Sequence, residues 1–186
     1  NEGEKKPFKT DREYRSLAAP VSVYAAAKRI DTEYYVEGYA TTFDKPYLLY
    51  EFEDGTKIYE RIDAHALDSA DMSDVIMQYD HEGRVFARQS NNTLILEPDV
   101  KGLFVAADLS RTDLARGLHQ DISAGIITKM SWAFTVAEES YDRETHTRTI
   151  LKIKKVYDVS AVSIPANNDT EISARAFASR SYERER

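Results

Sequence analysis

The residues from Gly125 to Val136, Gly-Ile-Ile-Thr-Lys-Met-Ser-Trp-Ala-Phe-Thr-Val, constrain this chain more than any other stretch. From Ser131 onward, large apolar side chains alternate with small or polar ones, the period-2 pattern of a strand with one face in a core. Trp132, Phe134 and Val136 share the face assigned to the core; Ser131, Ala133 and Thr135 share the other. Ser131 thus stands at the head of a rigid strand among small neighbours, where a substrate can approach its hydroxyl. The plainer alternative is an ordinary strand serine bonded to backbone, and the strand alone does not choose between them.

The surrounding pattern is mostly β, and twelve tyrosines and seven phenylalanines agree with it. Tyr34 to Thr42 alternates around Gly38, and Tyr47 to Phe52 runs into Asp54-Gly55, a hairpin signal. Arg84 to Ala87, Thr93 to Leu96 and Leu103 to Ala107 read as an antiparallel meander with turns at Asn91-Asn92 and from Asp99 to Gly102. A return strand runs from Thr149 to Ser163, with Val156, Asp158 and Ser160 on one face, and Pro165 stops it. Two helices are expected. Asp63 to Met72 is the weaker; Ser110 to Ala124 has Ser110 as N-cap, Leu114, Leu118 and Ile122 on one face, and Gly125 at its end. A length of 186 residues suits one well-buried domain. Residues 16–174 are read as that domain, 1–15 as a mobile polar segment and 175–186 as a mobile basic tail.

Composition closes off several chemistries. The chain has no cysteine, so disulfides, thiolate metal sites and cysteine catalysis are out. A formal charge of −7 argues against general nucleic-acid binding. No apolar run approaches the ~20 residues of a membrane span. The four histidines show no metal spacing. His65 and His119 fall in the expected helices and His146 in a charged turn, each most simply a solvated or partly buried side chain. His81 differs, because it ends the apolar run Val75-Ile76-Met77 and precedes Gly83, and Asp80 and Glu82 would raise its basicity if close; the plainer alternative is a surface turn histidine. Asp158 lies inside another apolar run, Val156 to Val162, where an acid is costly to bury unless paired; the plainer alternative is an outward-facing residue on an edge strand. Ser131, His81 and Asp158 together supply a nucleophile, a base and an orienter, although a triad is defined by geometry and not by spacing.

Three motifs in order carry a resemblance. The first is an apolar run ending in Asp80-His81. The second is Gly102-Leu103, then a helix, then Ser131-Trp132-Ala133-Phe134. The third is Asp158-Val159-Ser160 followed by Pro165-Ala166-Asn167. From about Val36 to Ala174 the sequence resembles the prohead serine proteases of tailed bacteriophages, the Hong Kong 97 type of capsid maturation protease, which are distantly similar to herpesvirus assemblins. The resemblance implies that His81 is the base and Ser131 the nucleophile. Assemblins use a second histidine where Asp158 stands here, and the Gly-Arg-Arg that follows in them is absent. Backbone amides around Ser131 or near Ile164 are the remaining oxyanion candidates.

The expectation is a serine endopeptidase with an antiparallel β-barrel, flanking helices and an assemblin-like fold. The resemblance implies that it needs no cofactor. It also implies substrates in the scaffold protein, the scaffold-like part of the major capsid protein and the enzyme itself, inside the assembling prohead in the bacterial cytoplasm. Self-cleavage is expected after about Ile172. A homodimer is expected, with the Ser110 to Ala124 helix as a possible interface. The competing readings are an inactive scaffold-binding module of the same fold and a small-ligand-binding β-barrel.

Overall fold

A computed structural model describes residues 12–16 and 21–163. In chain order the strands are β1 (Glu13–Ser16), β2 (Tyr35–Thr42), β3 (Tyr47–Glu51), β4 (Lys57–Ile62), β5 (Ile76–Tyr79), β6 (Glu82–Arg88), β7 (Leu94–Pro98) and β8 (Gly102–Asp108). Helix α1 (Asp113–Ser123) follows, then the long strands β9 (Lys129–Asp142) and β10 (Thr147–Val162). Among the described residues strand accounts for 53% and helix for 9%, so the molecule is mainly β.

The β9–β10 hairpin is the spine. The larger sheet runs β1-β9-β10-β4-β3, and β5 adds to β10 beyond β4 and carries β6. A second sheet has the order β2-β8-β7. Apolar side chains from both sheets, among them Val36, Leu103, Val105, Trp132, Phe134 and Val159, share one core with Leu118 and Ile122 of α1. Among the described residues neither sheet closes, so two sheets over a common core stand where a barrel was expected. The expected meander is likewise split. A 3-10 turn at Gln89–Asn91, ending in left-handed Asn92, takes the chain from β6 in one sheet to β7 in the other.

Two local expectations are corrected by hydrogen bonding. The stretch from Asp63 to Met72 forms successive turns and not a helix, because its backbone is taken by β10. Asp63 N donates to Ile150 O, Ile153 N to Ala66 O, Asp71 N to Lys154 O and Val156 N to Asp71 O. It thereby stitches β10 between its pairings with β4 and β5. The N-cap of α1 is Thr112, whose side chain accepts from Ala115 N, and not Ser110. Leu114 turns outward, while Ala115, Leu118 and Ile122 are buried. Glu13 to Arg15, expected in a mobile segment, pair with β9. The tail from 175 onward lies outside the described residues.

Candidate active site

Ser131 sits on β9 between two neighbours, opposite Ser160 of β10 and Ser16 of β1. The expected core face holds, since Trp132 and Phe134 are fully buried. The other face is not open, however: Ser131 and Ala133 are equally buried, and Thr135 nearly so. The covering on that side includes the turn that carries His81.

That turn is the two-residue link between β5 and β6. Tyr79 pairs with Glu82, leaving Asp80 and His81 at the tip with φ of 50° and 63°. Two successive left-handed residues make a type I′ hairpin, a turn that favours Asn-Gly. Side chains with a Cβ are strained there, each by about 1–3 kcal/mol, and such strain persists only where surrounding contacts enforce it. Asp80 provides those contacts. Its N–H donates to Ala161 O at 2.9 Å, and its carboxylate accepts from Ser163 N at 2.9 Å and Ser163 Oγ at 2.8 Å. Asp80 is therefore an anchor to the end of β10 and is turned to Ser163, where the sequence suggested a direct effect on His81.

Asp158 reaches the same face through a bulge. Val156 lies opposite Phe134 and Asp158 opposite Ala133, so two steps of β10 match one step of β9. Without the extra residue, positions 156 and 158 would share a face; with it, Val156 enters the core and Asp158 joins the Ser131 side. Bulges commonly re-aim a side chain next to a site in this way.

The three side chains meet. His81 Nδ1 lies 2.5 Å from Asp158 Oδ1, and His81 Nε2 lies 2.8 Å from Ser131 Oγ. A carboxylate accepts only, so Nδ1 carries the proton and donates to Asp158, which leaves Nε2 to accept from the Ser131 hydroxyl. Ser160 Oγ donates to the same Asp158 oxygen at 2.6 Å. Asp158 is 2% exposed and Ser131 0%, so the row is shielded from bulk water. Tyr14 of β1 packs edge-on against the His81 ring, centroids 4.7 Å apart. Chemically, the row can draw a proton off Ser131 and hold the resulting imidazolium against a paired acid.

The other histidines lie elsewhere. His65 Nδ1 pairs with exposed Asp68, the His119 ring packs on Tyr34, and His146 Nδ1 bonds the Tyr141 hydroxyl. Burial pushes His119 below its ordinary pKa. Among the described residues no three His, Cys, Asp or Glu side chains are grouped to hold a metal ion. Sequence reading missed Ser160 and the anchoring role of Asp80. Ser160 was findable, since it follows Asp158 by two residues on one strand face. Ile164, one oxyanion candidate, lies outside the described residues.

No curated protein and no solved structure matches this chain. A family model described as caudovirus prohead serine protease matches residues 22–185, nearly the whole length. The chain belongs to the caudovirus prohead serine protease family and is a serine peptidase of phage capsid maturation.

Proposed function

We propose that Ser131 is the nucleophile of this peptidase, His81 its general base and Asp158 the residue that orients and stabilises His81. The observation that carries the reading is the unbroken hydrogen-bonded row Asp158–His81–Ser131. Ser131 Oγ attacks the scissile carbonyl as His81 Nε2 takes its proton, and Asp158 stabilises the imidazolium. The tetrahedral intermediate expels the amine, protonated by His81, and leaves an acyl group on Ser131. Water, deprotonated by the same imidazole, then releases the acid. Backbone amides around Ser131 are the proposed oxyanion donors. With Ser131 fully buried, a peptide gains access only after an opening movement.

The substrates proposed from family membership are the scaffold protein or the scaffold-like part of the major capsid protein, and the enzyme itself after about Ile172. The exposed Leu114 on α1 marks the surface proposed for a homodimer. We keep the assemblin likeness as a reading of the fold in which the two sheets correspond to an opened barrel. The negative charge supports a protein partner over nucleic acid. Among the described residues no helix is long and apolar enough to cross a membrane. Incubating the purified chain with its phage's scaffold and capsid proteins, and following intact masses, tests the assignment. New fragments are expected with the wild type and none with Ser131→Ala; fragments of equal yield from both would overturn it.

A further inference from the structure

We infer that β1, which lies outside the residues that match the family, is a working part of the catalytic site, with Tyr14 as a positioning residue for His81. The inference rests on the assignment of His81 as base.

Two faces of one short strand carry the argument. Tyr14 pairs with Ala133, and Ala133 pairs with Asp158, so Tyr14, Ala133 and Asp158 form one row across three strands. That row ends at the acid that holds His81, and the Tyr14 ring meets the imidazole at 4.7 Å and an interplanar angle of 64°. The two hydrogen bonds of His81 lie in its ring plane and leave tilting about their line weakly opposed. A ring packed edge-on opposes that tilt. His81 has particular need of such support, because its backbone is held left-handed at φ 63° on a strained turn.

The other face holds the strand in place. Arg15 Nε donates to Glu60 Oε1 at 2.7 Å, Arg148 Nη1 donates to Glu60 Oε2 at 2.9 Å, and Arg148 also reaches Glu13 at 2.6 Å. Glu60 is 0% exposed, and Arg15 and Arg148 are buried. Lifting β1 would strip Glu60 of Arg15 and Arg148 of Glu13 while both stay buried, a strongly unfavourable change. A strand clamped in this way is a fixed component of the site and not a loose strap. Among these pairs, Arg15–Glu60 and Arg148–Glu13 are the ones that seat β1.

The test uses a small fluorophosphonate and the full chain. Tyr14→Ala is expected to lower the inactivation rate constant at Ser131 on the order of 10- to 100-fold, the scale of a slightly misplaced catalytic group. The apparent affinity for the reagent should stay unchanged, and Tyr14→Phe, which restores the ring, should recover most of the rate. Tyr14→Leu serves if the alanine variant does not fold: a slow rate with an unchanged melting temperature supports the inference. An unchanged rate in a folded Tyr14→Ala or Tyr14→Leu protein overturns it, and so does a faster one, which would make β1 a strand that closes the site. If the wild type itself is not labelled, the protease assignment has failed. The positioning role is then read from the His81 Nδ1 proton resonance in Ser131→Ala protein, which should broaden when Tyr14→Ala is added and overturns the role if it does not.

Discussion

Val156 and Asp158 stand two residues apart on one strand, yet Val156 packs in the core opposite Phe134 while Asp158 bonds His81 on the opposite side. The bulge between them gives an acid in an apolar run a partner. It also makes the acid's role testable without disturbing the core, since the two sides of the sheet are chemically separate there.

Asp158→Asn is expected to keep the fold and lose most activity. An amide does not stabilise the imidazolium, and it donates to the ring nitrogen, favouring the wrong tautomer. In trypsin-type enzymes that change costs about 10⁴ in kcat. Steady-state kinetics would show it; a loss of only a few-fold would transfer the role to another group, with Ser160 the nearest.

Phe134→Ala should act through stability alone. Phe134 is fully buried against Trp132, and truncating such an aromatic costs about 3–5 kcal/mol. Ser131→Ala, three positions away on the other face, should melt within a few degrees of wild type. Thermal unfolding of the two variants checks the contrast; equal melting would mean that the faces are misassigned.

Gly102→Ala should destabilise although glycine there has ordinary φ. A Cβ at Gly102 would stand 2.0 Å from the Thr41 carbonyl oxygen and 2.8 Å from Thr42 Cα, both backbone atoms that do not yield. The cost expected is about 1–3 kcal/mol, as for other overpacking, read as a lower denaturation midpoint. An unchanged midpoint would show that β2 and β8 separate more easily than their pairing indicates.

Acid stability depends on Glu60. Burial alone would raise its pKa, but Arg15 and Arg148 outweigh it and hold the carboxyl below its ordinary value of 4.5. The folded pKa is thus lower than the unfolded one, so the contribution to stability is complete above about pH 5 and is lost as pH falls through the folded value. Glu60→Gln should lower the melting temperature at neutral pH, breaking buried pairs at about 3–5 kcal/mol, and flatten its fall below pH 5. Parallel curves for wild type and variant would contradict this.

Much of the site was legible because its residues break local patterns. Ser131 is a hydroxyl among small residues, Asp158 an acid in an apolar run, and His81 the end of a buried run. The two strands that became the spine also follow from alternation. What the sequence hid is long-range. The backbone of residues 63–72 is claimed by β10, so its alanine spacing reads as a helix that never forms. The bulge at Tyr157 is invisible to a simple period of two, which places Val156 and Asp158 together. The polar segment before Ser16 looked solvated because its mixed charges show no apolar pattern; the buried partners that hold it, Glu60 and Arg148, are 45 and 135 positions away from Arg15 and Glu13.

The most direct measurement of the central claim is covalent capture. Purified protein treated with a fluorophosphonate and digested should carry one adduct, on the peptide containing Ser131, and His81→Ala protein should acquire it far more slowly. No adduct, an adduct at another serine, or equal rates with and without His81 would contradict the account.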